Sequence, residues 1–344
     1  MQFKSMLESL QSQYRFEVLS LDGAEMVTGS LLKIDGKTLD LDEVSWKRFA
    51  TFLGFSVKTL ERGSEDLKKN TFNYYLESGQ GGDVVVQYYG DEIESFYRTD
   101  HPLVPVLDSL ESIGGVLDYS GEPLSHYKVS SQRRGYSDTV VDLVKGQRLW
   151  GFETSGVGYQ VHLGVRVTIN FDPEVSSQVE GLLEFVSPEN TFKMCIELPN
   201  KGKVRPKGKT QSEIVDSFVE VASGWVKEID QTLGMLYTLE EVLSETDPKL
   251  NVMVTEMGVS RTVQNRVMER LYVENPWLKE KASVSEIEAI VALGVFVRGL
   301  VSSANKVERY LGSLFSQGGD RVVVCKCCGQ RVTQTQEKNN GTGS

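Results

Sequence analysis

The sequence predicts an α+β fold, because strand signals fill the chain before residue 200, helix signals fill it after residue 210, and the two do not alternate as βαβ units would. The run Tyr159–Asn170 sets Val161, Leu163, Val165, Val167 and Ile169 on one face and His162, Arg166 and Thr168 on the other, the signature of an antiparallel strand. Apolar residues then recur at helical spacing over Ser212–Leu243, through Ile214, Phe218, Val221, Trp225, Ile229, Leu233 and Leu236, and again over Ser285–Phe315. The expected organisation is an N-terminal mixed region with an antiparallel sheet (1–200), a basic loop (201–210), and a helical domain with two long helices (211–317). A short Cys-containing strand and turn (318–333) and a disordered tail (334–344) complete it.

The elements follow in order. Met6–Gln13 reads as helix, and Tyr14–Leu19 and Leu31–Ile34 as short strands among Gly and Asp turns. Asp42-Glu43 opens a helix over Ser45–Leu53 that Gly54 stops, and a second helix runs from Ser64 to Leu76. Val84–Tyr89 turns at Gly90-Asp91 into Ile93–Arg98, a hairpin. A helix between Pro102 and Ile113 leads to strands at Thr139–Val144, Leu149–Phe152, Gly158–Asn170, Val179–Val186 and Phe192–Leu198. The one-sided alternation of Tyr159–Asn170 predicts a sheet covered on one face, its polar face left as a solvated surface or a binding platform. The two long helices, the first about 45 Å in length, form an antiparallel pair, the second capped at Ser283 or Ser285 with Glu286 or Glu288.

The chain has 344 residues, 40% hydrophobic and 25% charged, the balance of a soluble globular protein. No stretch approaches the roughly 20 apolar residues of a membrane helix, and Met1-Gln2-Phe3-Lys4 does not open a signal peptide. The expected location is the cytoplasm, with no membrane partner. A net charge of −11 opposes indiscriminate coating of nucleic acid but leaves room for a local basic site.

Such a site is visible in Lys201, Lys203, Arg205, Lys207 and Lys209, five cations in nine residues with Gly and Pro between them. The bland alternative is a solvated loop; the functional one is a contact to a row of phosphates. Arg133, Arg134 and Tyr136 interleave cations with an aromatic ring, the pair that grips single strands. Three cysteines crowd Cys325, Cys327 and Cys328; Cys325 and Cys328 with Gly329 have the spacing of a zinc knuckle, which predicts a structural zinc completed from elsewhere, such as a second copy of the chain, and hence a homo-oligomer; the alternative is a cluster of free thiols. Pro248–Leu271 has the outline of a helix-turn-helix, with Arg261, Gln264, Asn265 and Arg270 toward DNA, yet Val254 and a one-residue departure favour a plain helical hairpin. The acidic groups Asp138 with Asp142, Asp172 with Glu174, and Asp91-Glu92 with Glu94 are more typical of turns and surface than of catalysis, and His101, His126 and His162 are scattered. No residue is singled out as catalytic.

The stretches Trp46–Gly54, Asn70–Leu76, Val84–Tyr88, Phe96-Tyr97-Arg98, Pro102–Asp108 and Ala304–Gly312 resemble a large group of phage- and plasmid-borne proteins of uncharacterised function, the phage/plasmid-like proteins. The resemblance implies a mobile-element origin, the host cytoplasm as location, and a role near replication or recombination; the group has no agreed catalytic residues to carry over. The leading expectation is a non-enzymatic phage-type DNA-metabolism protein that binds nucleic acid, in the first place single-stranded DNA, alongside phage replication proteins. The alternatives are an assembly protein with a zinc-bridged tail and no nucleic-acid role, and a metal-dependent nuclease.

Overall fold

The computed structural model describes residues 7–8, 12–78, 81–99, 103–117, 124–130, 138–154, 156–170, 175–188, 190–198, 202–227, 229–241, 243–296, 300, 304–316, 321–324 and 331–334. For 124–130, 321–324 and 331–334 it describes the backbone alone. The class is α+β with antiparallel sheets throughout. No helix among the described residues is long and apolar enough to cross a membrane.

The N-terminal strands make two small sheets. Strand β1 (Tyr14–Ser20) pairs with β5 (Asp83–Tyr89), which pairs with β6 (Glu92–Arg98), and β2 (Glu25–Met26) pairs with β3 (Leu31–Ile34), which pairs with β4 (Lys37–Asp40). The β3–β4 turn places Asp35 and Gly36 at φ 46° and 73°, the left-handed pair that a tight hairpin needs. Helix α1 (Glu43–Phe52) is capped by Asp42, whose carboxylate accepts from the N–H groups of Val44 and Ser45, and α2 (Glu65–Glu77) by Ser64. Both helices cover the sheets through Trp46, Phe49, Phe72 and Phe96, whose rings interlock with centroids 4.7 to 6.4 Å apart.

After α3 (Val106–Leu117) comes the main sheet: β7 (Leu124–Ser130), β8 (Asp138–Thr154), β9 (Val157–Asn170), β10 (Ser177–Val186) and β11 (Thr191–Ile196), in spatial order β11-β10-β9-β8-β7. The two-residue β12 (Lys203–Val204) pairs with the start of β10. Strand β8 runs unbroken where the sequence predicts two strands, because register shifts around Arg148 absorb the irregular Lys145–Gln147 stretch. The predicted apolar row Val161, Leu163, Val165, Val167 and Ile169 is fully buried. Against it pack α4 (Gln211–Lys227), whose Trp225 indole N–H donates to the Gly164 carbonyl at 2.7 Å, and α5 (Ile229–Glu241).

The rest is short helices. Strand β13 (Leu243–Glu245) pairs with β14 (Ser283–Ser285) around the hairpin of α6 (Thr246–Glu256) and α7 (Arg261–Glu274); α8 (Glu286–Gly294) and α9 (Ala304–Ser316) follow. The first predicted long helix is described as α4 and α5, with residue 228 between them outside the described residues. The second is not continuous: it ends at Gly294, and helix is next described from Ala304. The apolar spacing persists across this break although Val295 and Val297, β-branched, and Gly299 are poor helix formers. The expected capping box is present at Ser285 and Glu288.

The two largest hydrophobic clusters run from Leu19 to Phe96 and from Val104 to Leu314. Residue 200, where the sequence places the end of the sheet domain, lies within the span of the second, which joins the main sheet to the helices. Tyr14 of β1 reaches the main sheet, its hydroxyl 2.7 Å from Thr139 Oγ1; burial pushes its phenol up to about 12.

The polar face of the main sheet corrects the sequence reading. It is not open: Arg166 is 6% exposed, Asp142 1%, Glu184 3% and Glu180 2%. Charges can be buried there because each has a partner. Arg166 grips Asp142 through two bonds of 2.6 and 2.9 Å and also pairs with Glu308, while Lys193 bonds Asp142 at 2.7 Å and lies 3.7 Å from Glu184. Glu308 and Arg309 come from α9, which packs against β11, and Arg309 forks onto Glu180 at 2.6 and 3.0 Å. A helix more than a hundred residues downstream thus closes a face that the strand pattern alone marks as exposed.

Candidate nucleic-acid interface

Cross-strand neighbours point to the same side of a sheet, so register locates the basic strip. One row runs Ser130, Val140, Thr168, Gln178, Lys203 across β7, β8, β9, β10 and β12. Lys203 therefore shares the polar face with Gln178 and Thr168, at the end of the sheet where β7 stops and β8 begins. Residues 131–137, with Arg133, Arg134 and Tyr136, join those two strand ends and lie outside the described residues, as does Lys201.

Alternation continues beyond β12. Val204 and Pro206 turn inward and are buried, while Lys203, Arg205 and Lys207 turn outward and are exposed. Two contacts hold the segment in place. Gly202 has φ +56°, and a Cβ there would run into the Val179 carbonyl, so only glycine allows this close approach. Downstream, Thr210 and Glu213 form a reciprocal cap on α4: the Glu213 carboxylate accepts from the Thr210 N–H at 2.7 Å, and Thr210 Oγ1 accepts from the Glu213 N–H at 3.3 Å. The bond from the Thr210 N–H, with that from its hydroxyl, holds the Glu213 carboxyl below its ordinary range. Lys209 differs from its neighbours: it is half-buried and donates to Ser217 Oγ at 2.6 Å.

Sequence reasoning missed Arg309, whose guanidinium lies 3.4 Å from Gln178 Oε1, beside the position paired with Lys203. No local signal points to it, since α9 reaches β10 only through the fold. Lys203 and Arg205 have no ion-pair partner among the described residues. The contrast is a cleft of about 630 Å³ beside α1, lined by Trp46, Lys47, Lys68, Glu43, Glu61 and Glu65. There Lys47 bonds Glu43 and Glu61 at 2.9 and 3.1 Å and Lys68 bonds Glu65 at 3.1 Å, so its cations are already matched.

The other candidates resolve as follows. Gln264 braces the α6–α7 turn by donating to the Thr255 and Val259 carbonyls, and Arg270 pairs with Glu274, which leaves Arg261 and Asn265 exposed on a helical hairpin. Asp142 belongs to the buried network, and Asp138, half-buried, is pushed up by burial. Glu94 pairs with Arg48. His162 Nδ1 lies 3.2 Å from the Lys145 carbonyl; His101, Asp172 and Glu174 lie outside the described residues, as does the His126 side chain. Among the described residues no group of three His, Cys, Asp or Glu side chains is placed to hold a metal ion. Strands β15 (Arg321–Val324) and β16 (Arg331–Gln334) pair with Val324 opposite Arg331; Cys325, Cys327 and Cys328 fall between them, outside the described residues.

No family model, curated protein or solved structure matches this chain. What it does rests on its own residues.

Proposed function

We propose that this protein binds nucleic acid, preferentially single strands, along the outward row Lys203, Arg205 and Lys207, with the segment of Arg133, Arg134 and Tyr136 emerging at the same end of the sheet. The observation that carries this reading is the alternation of exposed cations with buried Val204 and Pro206 on a backbone pinned by Gly202. Alternate positions of an extended segment lie about 7 Å apart, comparable to successive phosphates of an extended strand. A row suits a linear polyanion, whereas a small anion calls for a cup. Neutralising several phosphates releases counterions, which drives association in spite of a net charge of −11. Aromatic stacking at Tyr136 favours unpaired bases, whose faces are accessible. The resemblance to phage/plasmid-like proteins supports a role in mobile-element DNA metabolism.

Fluorescence anisotropy with a labelled single-stranded oligonucleotide and its duplex tests this. Tighter binding of the single strand, lost when Lys203, Arg205 and Lys207 are all replaced by Ser, supports the reading. Absence of binding, or binding indifferent to those three substitutions, removes it.

A further inference from the structure

The α6–α7 hairpin carries a separate inference. Its helices meet through the turn Met257–Ser260, in which Gly258 takes φ +67°, the short Gly-containing joint of a helix-turn-helix. Val254, which the sequence sets against that outline, is buried with Met253, Val259, Val267 and Leu271 in one core. Both ends of α7 are braced. At its start Gln264 donates to the Thr255 and Val259 carbonyls at 3.3 and 3.2 Å. At its end Asn275, 3% exposed, donates to the Leu271 carbonyl at 3.1 Å and to the Ala292 carbonyl of α8 at 3.2 Å. The helix is thus fixed in orientation, with Val267 and Leu271 inward.

The opposite face is exposed and polar. At about 100° per residue, Thr262, Asn265, Arg266, Glu269 and Val273 gather on the side away from Val267 and Leu271, with Arg261 at the margin, and all six are exposed. An ordinary solvated helix matches its charges one turn apart, as Arg270 and Glu274 do. Arg261 and Arg266 have no ion-pair partner among the described residues. A protein-docking face would be rich in aromatic residues, whereas Val273 is the one apolar residue among the exposed positions of α7. The residue types fit base edges instead: Arg bonds guanine, Asn adenine, Glu the cytosine amino group, and apolar groups meet the thymine methyl. The major groove of DNA, about 12 Å wide, admits an α-helix, and α7 with its 14 residues is about 21 Å long. We infer that the outward face of α7 binds double-stranded DNA in the major groove, with Asn265, Arg266 and Glu269 at the base edges and Arg261 at the phosphates. This site shares no residue with the basic strip and does not rest on it.

Selection from a pool of randomised DNA duplexes, with the full chain carrying Lys203→Ser/Arg205→Ser/Lys207→Ser, tests α7 in the absence of the strip. The expected result is enrichment of a preferred sequence. Asn265→Ala and Arg266→Ala, added singly, each lower the affinity for that sequence about tenfold, with melting curves unchanged. Arg261→Ala weakens enriched and random duplexes alike. The inference is overturned if no duplex is bound, if no sequence is enriched, or if the three substitutions leave affinity as it was. Failure of single-strand binding at the strip would leave all of these outcomes untouched.

Discussion

The main sheet carries two groups of charges on one face, and their fates differ. Asp142, Arg166, Glu184 and Glu308 are buried and Lys193 is half-buried beside them, with each charge answered within the fold. A few residues away, Lys203 and Arg205 are exposed and without an ion-pair partner among the described residues. The residue types are the same, so charge alone does not mark a binding site. What distinguishes the strip is that its backbone is held firmly while Lys203 and Arg205 have no ion-pair partner among the described residues. Burying an ion is tolerable only when it is paired, whereas an exposed cation on a fixed backbone keeps its attraction for an external anion.

Disrupting the buried group should have the largest effect. Arg166→Ala strands Asp142 in the interior and is expected to cost about 3–5 kcal/mol in urea unfolding, with little change in oligonucleotide affinity per folded molecule. Gly202→Val attacks the strip without removing a cation. Its side chain collides with Val179, displaces β12, and is expected to lower stability by about 1–3 kcal/mol and to weaken oligonucleotide binding in anisotropy titrations. Equal oligonucleotide affinity for Gly202→Val and wild type would show that the backbone hold does not matter. Lys203→Ser and Arg205→Ser each remove one phosphate contact, and each should shift the slope of log K against log salt by about 0.7 while leaving the melting curve nearly unchanged.

pH separates two acids of the network, Asp142 and Glu308. Burial alone would push the Asp142 carboxyl up, but Arg166 and Lys193 overcome it and hold the group below its ordinary range. Its stabilising contribution is therefore present above the unfolded value of 3.8 and lost as pH falls through the depressed one. At Glu308 burial outweighs the attraction of Arg166 and the pKa is raised. Its contribution is present below the unfolded value of 4.5 and lost as pH rises through the raised one. Glu308→Gln should thus reduce the stability lost as pH rises above 4.5, measured by urea unfolding at pH 4.5 and at neutral pH; an unchanged difference would count against this assignment. The smallest effect is expected in the cleft beside α1, where Lys47→Ser and Lys68→Ser should leave oligonucleotide binding unaltered.

Much of the local structure was legible in the sequence. Alternation placed β9, turn residues placed the β5–β6 hairpin, and side-chain chemistry placed the helix opening at Asp42 and narrowed the later cap to Ser283 or Ser285, of which Ser285 holds it. The failures share a cause. Arg166 reads as exposed because its partner Glu308 is 142 residues away, and Arg309 is missed beside Gln178 for the same reason. Periodicity reports which residues share a face, not what later covers it. The break before Ala304 was hidden because apolar spacing persists across residues that form helix poorly. At the strip, composition was legible, but its phase, with Val204 and Pro206 inward and Lys209 turned to Ser217, required the fold.

The salt dependence of single-strand binding, compared between wild type and the Lys203→Ser/Arg205→Ser/Lys207→Ser variant, tests the central claim most directly. Three phosphate contacts predict that the log–log slope falls in magnitude by about 2 in the variant, at about 0.7 per contact. A slope that is the same in both proteins would contradict it, and would return the strip to ordinary solvated surface.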